Sequence, residues 1–298
     1  MKPVNLNAIA TETRNPATAE LDRLSPRQIA RKINAEDFNA ARAVKMANRE
    51  IAAVMVLAAR AYAAGKKIIF TGAGTSGRLG ILEAVECVPT FGTKPSQIIG
   101  LIAGGKKAVF RSQEGAEDDD KQGAREMARA AKKDDLVVGL TASGRTPYVM
   151  GALRQARKTG ARTALISCNP RADTADAEVH VCLPTGPEAL CGSTRMKAGT
   201  ATKMALNAIT TGAMVLCGKT YGNLMIDVQP TNKKLVARAV RLICTVAQTD
   251  EKTALKLLAA AGKNVKTAVV MHRKKVSKAG AQKLLKQKDG FLTGVIDE

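Results

Sequence analysis

Carboxylates and hydroxyls are the residues of this chain best placed to do chemistry. Glu83 and Glu86 stand three apart in LEAVEC, and Glu114 and Glu117 stand three apart in EGAEDDD. On a helix that spacing turns both side chains the same way, and paired carboxylates are suited to moving protons. Each pair also has an ordinary reading: a solvated face for the first, a favourably charged helix start for the second. Spacing alone leaves both readings open. The only histidines, His180 and His272, are far apart and form no Ser-His-Asp or Cys-His set. Carboxylates are therefore the proton carriers to consider.

Three hydroxyl-bearing stretches complement them: Thr75 and Ser76 in GAGTSGR, Ser143 and Thr146 in TASGRT, and Ser193 and Thr194 in GSTRMK. Each leads into a helix-like segment, where exposed N–H groups and the positive helix end attract an anion. Any one of them is an ordinary helix cap, but three on one face make a phosphate pocket. The spacing Gly72-x-Gly74-x-x-Gly77 also fits a dinucleotide fingerprint. That rival needs an acidic residue about 20 positions on; the next strand-like run, 97–103, ends instead in Gly104-Gly105-Lys106-Lys107.

The elements that must position these groups follow from periodicity. A polar arm over 1–24 leads to a helix start at Ser25-Pro26 and helical sequence over 37–64, closed by Gly65. Strand-like runs at 68–70, 97–103, 136–140, 164–168 and 179–183 alternate with helices at 79–87, 121–132, 148–158 and 196–216. That alternation predicts an α/β fold with a mostly parallel five-stranded sheet flanked by helices. After Asn223 only helical patterns remain, at 232–247, 250–261, 265–276 and 279–287. The expected division is 1–54 for an N-terminal arm and helical segment, 55–220 for the sheet domain, and 221–298 for a small C-terminal helical domain.

Composition narrows the function classes. The 298 residues include 45% hydrophobic but only 3% aromatic side chains and no Trp, so the core is aliphatic and base-stacking platforms are scarce. The net charge is +21, and residues 231–298 carry 15 Lys and Arg against five Asp and Glu. With no nucleic-acid motif beside it, this charge reads as a solvated surface that attracts anionic metabolites, not as a nucleic-acid site. Six cysteines without C-x-x-C pairs argue against zinc and fit reduced thiols in the cytoplasm. The first residues lack an apolar signal core, and the longest apolar stretch, 205–217, is too short to span a bilayer.

A resemblance then becomes specific. TGAGTSGRLGILEAVEC, LIAGG, EGAED, ASGRTPYV, SCNP, GSTRMKAGTATKMALN and GKTYGNLMIDV occur in this order, after an early TETRNPATAELDRLS. The chain resembles the N-acetylmuramic acid 6-phosphate etherases, enzymes of the sugar isomerase (SIS) domain class. The resemblance implies a SIS core near 55–220, a homodimer, a sugar phosphate ligand, and no cofactor or metal. It implies a lyase that uses water to cleave the D-lactyl ether of N-acetylmuramic acid 6-phosphate, giving N-acetylglucosamine 6-phosphate and D-lactate. The family's catalytic acid falls on Glu86 and its base on Glu117; Thr75, Ser76, Ser143, Thr146, Ser193 and Thr194 match its sugar-phosphate loops. Two departures stand out: Val85 and Val88 replace residues of the usual A-S-E-C-P-P run, and the charge is high for the family. The same fold also serves sugar-phosphate isomerases and non-catalytic sugar-phosphate sensors.

Overall fold

The structure is a computed structural model that describes residues 10–230 and 232–297. The opening nine residues of the arm lie outside the described residues. Ser25 starts helix α1 (Pro26–Met46): its backbone N–H donates to Gln28 Oε1 at 2.9 Å, with Pro26 in the first turn. Helix α2 (Asn48–Ala63) follows and buries Ile51, Val54 and Leu57.

Strands and helices then alternate as β1 (Ile68–Gly72), α3 (Gly74–Phe91), β2 (Ile98–Ile102), α4 (Gly105–Phe110), α5 (Asp120–Ala130), β3 (Leu136–Thr141), α6 (Pro147–Lys158), β4 (Arg162–Ser167), β5 (Val179–Cys182) and α7 (Lys197–Leu216). The five strands form one all-parallel sheet in the order β2-β1-β3-β4-β5. Every residue of β1 and β3 is buried, which explains their unbroken apolar runs. Strand β2, at one edge, is only half-buried.

Helices α5 and α6 cross in backbone contact because glycine stands at both touching points. A Cβ on Gly123 would lie 2.0 Å from Tyr148 O, and one on Gly151 2.0 Å from Asp120 O. The order reverses at β1: β2 lies to one side and β3 to the other. In parallel sheets such a switch point opens a crevice at the carboxyl ends of the strands, here between the loops after β1 and β3.

The remaining chain forms a short hairpin, β6 (Thr220–Tyr221) with β7 (Leu224–Met225), then α8 (Lys233–Ala247), α9 (Glu251–Ala260), α10 (Val265–Lys274), α11 (Lys278–Gln287) and α12 (Thr293–Ile296). These helices bury Ala239, Ile243, Ala268 and Val269 among themselves. By its contacts the chain divides into two compact units, Met1–Ala84 with Ser96–Thr210 and Val85–Pro95 with Thr211–Glu298. The second holds a buried cation: Lys266 Nζ reaches both Asp227 oxygens at 3.2 Å and Gly290 O at 3.1 Å.

Two elements differ from the sequence expectation. Helix α3 begins at Gly74, not near residue 79, so Thr75 and Ser76 form its first turn. Gly74, at φ +52°, makes the sharp bend that lets the helix start at once. The Gly104–Lys107 stretch turns into helix α4, opened by two glycines at positive φ.

Candidate active site

The first loop is shaped by close backbone approach. A Cβ on Gly77 would sit 2.7 Å from Gly72 O and 2.6 Å from Ile102 Cγ1, so only glycine lets α3 rest directly on the strand end. The first turn of a helix leaves its N–H groups without helical partners, and the half-buried Thr75 and Ser76 stand in that turn.

Gly72 is in register with Leu140, so the loop after β3 leaves the sheet beside the loop after β1. Thr141 organises it. Its Oγ1 lies 2.7 Å from Thr146 Oγ1 and 3.3 Å from Ser143 Oγ, and it accepts the Gly144 N–H at 3.2 Å. Asn169 Nδ2 donates to Ser143 O at 2.9 Å, tying the loop to the end of β4. Sequence reasoning missed both supports: Thr141 opens the TASGRT stretch and Asn169 lies in SCNP, but no local pattern marks Thr141 as the hub or pairs Asn169 with Ser143.

The third loop meets the first. A Cβ on Gly199 would lie 3.4 Å from Thr194 O and 3.5 Å from Thr75 Cγ2, so Thr75 and Thr194 flank the same glycine. Ser193 is half-buried beside Thr194, with its N–H bonded to Leu190 O at 2.9 Å. The start of α7 is held from behind. Fully buried Glu188 accepts the Lys197 N–H at 3.0 Å and the Ala198 N–H at 2.9 Å. Burial pushes its carboxyl up from the ordinary value, against those two bonds.

Lys197, also buried, pairs with Glu36, which takes a second bond from Asn15 Nδ2 at 2.7 Å. Asn15 reaches on to Pro187 O at 3.2 Å, and Gly192 N donates to Thr11 O at 3.1 Å. The early TETRNPAT stretch thus anchors the third loop. Burial pushes the Glu36 carboxyl up, but its bonds from Lys197, Asn15 and Asn39 more than offset that and leave it below the ordinary value.

The four candidate carboxylates have different surroundings. Glu83 is buried and bonded to Lys203 Nζ and Thr210 Oγ1, both on α7. Glu86, one turn further along α3, is exposed; twelve residues separate it from Gly74, about 18 Å along the axis at 1.5 Å per residue. Glu117 lies in a short turn, Ala116–Asp118. With Glu114 it lines a cavity of about 140 Å3 above the ends of β1 and β2, which also takes in Gly74, Arg78 and Ser112. Glu86 is not among the lining residues of that cavity. Among the described residues no cluster of three or more His, Cys, Asp and Glu could hold a metal ion, and no helix is long and apolar enough to cross a membrane.

Comparison with known proteins gives this arrangement a family. The "Glucokinase regulatory protein N-terminal SIS domain" model matches residues 50–157, and the SIS domain model matches 116–212. The N-acetylmuramic acid 6-phosphate etherase of Edwardsiella ictaluri is 46% identical over 297 residues, 99% of each chain. That of Pectobacterium atrosepticum is 47% identical over 291 residues, 97% of this chain and 96% of that one.

The chain belongs to the N-acetylmuramic acid 6-phosphate etherase family.

As a member of the family it is an enzyme of the carbon–oxygen lyase class, built on a SIS fold. Among solved structures, a phosphoheptose isomerase from Francisella tularensis is similar at 13% identity and a TM-score of 0.45, over 63% of this chain and 97% of that one.

Proposed function

We propose that the protein cleaves the D-lactyl ether of N-acetylmuramic acid 6-phosphate with water in the cytoplasm, releasing N-acetylglucosamine 6-phosphate and D-lactate. The observation that carries this is near-full-length identity with etherases of that name. In the proposed reaction the ring-opened sugar presents an aldehyde at C1, which acidifies the C2 proton. Glu117 removes that proton, Glu86 protonates the departing lactate oxygen, and a C2–C3 double bond forms. Water then adds across it, leaving a hydroxyl on C3 and a solvent proton on C2. Thr75, Ser76, Ser143, Thr146, Ser193 and Thr194 bind the phosphate and fix the sugar's orientation.

The length of α3 gives the proposed homodimer a chemical role. In one chain Glu86 is exposed, stands ten residues along α3 from Ser76 (about 15 Å of helix), and is not among the residues lining the cavity that Glu117 lines. In this proposal Glu86 therefore comes from a second copy.

The test is D-lactate release from N-acetylmuramic acid 6-phosphate by wild type, Glu86→Gln and Glu117→Gln. Wild type should turn over and each variant should be inactive. Co-expressing the two dead variants should restore about a quarter of wild-type activity, because half of randomly assorted dimers are mixed and each holds one intact site. Tight sugar-phosphate binding without lactate release would make the protein a sensor, and conversion of an aldose phosphate to a ketose an isomerase. No recovery on mixing would place both glutamates in one chain.

A further inference from the structure

We propose that Arg78 is the receptor for the lactyl carboxylate, and thus the residue that makes the enzyme select an acid-bearing ether. The inference rests on the proposed function and adds a specificity-determining residue to it. Arg78 stands in the second turn of α3 and lines the cavity that holds Glu114 and Glu117. Its Nε–H donates to Val109 O of α4 at 2.9 Å, which fixes the plane of the guanidinium. Among the described residues its two terminal amino groups make no hydrogen bond or ion pair. That leaves a forked edge of donors, the geometry that binds a carboxylate through two parallel bonds.

Two features favour the carboxylate over the phosphate as the ligand. The first is position. The phosphate-binding hydroxyls after β3 stand on one side of β1, whereas the cavity that Arg78 lines starts at Ala73 and Gly74 of the first loop and extends to Ala103 at the end of β2, on the other side. The base Glu117 must face C2, and the lactyl ether is carried by the adjacent C3. The cation sharing a cavity with Glu117 therefore faces the lactyl arm.

The second is charge. A lactyl carboxylate entering beside Glu114 and Glu117 would be a third negative group in about 140 Å3, and Arg78 is the cation lining that space. A neutral ether would need no such partner.

The experiment compares two ethers: N-acetylmuramic acid 6-phosphate and 3-O-ethyl-N-acetylglucosamine 6-phosphate, which keeps the phosphate and the ether but lacks the carboxylate. Wild type should prefer the acid by about 10- to 100-fold in kcat/KM, the range for a charge-assisted pair. Arg78→Met should bring the ratio towards 1 by slowing the acid substrate, leaving affinity for N-acetylglucosamine 6-phosphate within about twofold. Arg78→Lys, which keeps the charge without the fork, should retain part of the preference; it carries the test if the Met variant does not fold. An unchanged ratio in both variants overturns the inference, as does an equal loss on both ethers with weaker product binding, which would assign Arg78 to the phosphate. Wild type that cleaves neither ether would instead refute the proposed function.

Discussion

The start of α7 and the cavity at the end of β1 are both built around glutamates, and they treat them in opposite ways. Behind α7, fully buried Glu188 accepts two N–H groups, and partly buried Glu36 accepts Lys197, Asn15 and Asn39 at one oxygen, Oε2. In the cavity, Glu114 and Glu117 are exposed, and Arg78 spends one bond on a backbone carbonyl and keeps the rest. A carboxylate held by several protein donors supports a fold, and one left open to a cavity is available to a ligand. The same division runs along α3, where Glu83 is locked by Lys203 and Thr210 while Glu86 faces out one turn later.

The sharpest way to break this contrast is to remove one carboxylate of each kind. Glu117→Gln should lower kcat by about 10²- to 10⁴-fold, the range for a lost general base, with the urea unfolding midpoint unchanged. Lys197→Met should do the reverse. Stranding Glu36 and emptying a buried cation site should cost about 3–5 kcal/mol of stability, read by urea unfolding, with the fraction that stays folded still active. If Glu117→Gln unfolds the protein, or Lys197→Met abolishes turnover in fully folded protein, the two regions have been assigned the wrong way round.

A smaller effect sharpens the picture at the β3 loop. Thr141→Val removes the hub shared by Ser143, Thr146 and the Gly144 N–H. At about 1 kcal/mol per lost hydrogen bond, KM should rise about tenfold or more with kcat little changed. Steady-state kinetics on the lactyl ether checks this.

The smallest expected effect is on pH dependence. Because the Glu36 carboxyl sits below its ordinary value of 4.5 in the folded chain, the stability it contributes is fully present above 4.5 and is lost as pH falls through the lowered value. In wild type this contribution, read by urea unfolding, should therefore hold constant down to about pH 4.5 and fall only below it. Its loss between pH 8 and 6 would mean that another group controls the pair.

The sheet was legible in the sequence because both faces of a parallel strand are buried, which leaves runs such as Leu136–Leu140 with no polar interruption. Helix ends were legible wherever a local cap marks them, as at Asn232 and Ser277. Helix α4 was not, since a six-residue helix opened by two glycines has too little periodicity to announce itself. The two-residue strands of the hairpin escaped for the same reason.

In the site, the hydroxyl loops were visible as local motifs, whereas their support was not. Lys197 and Glu36 lie 161 residues apart, and nothing near either one marks the other. The i, i+3 spacing of Glu83 and Glu86 does place them on one helix, but it says nothing of which one α7 covers.

Proton removal from C2 by Glu117 is the step on which the proposed function depends, and turnover in D2O tests it most directly. The account predicts N-acetylglucosamine 6-phosphate carrying one deuterium at C2, D-lactate with no carbon-bound deuterium, and no C2 exchange in Glu117→Gln. Product released with its original C2 hydrogen would contradict it.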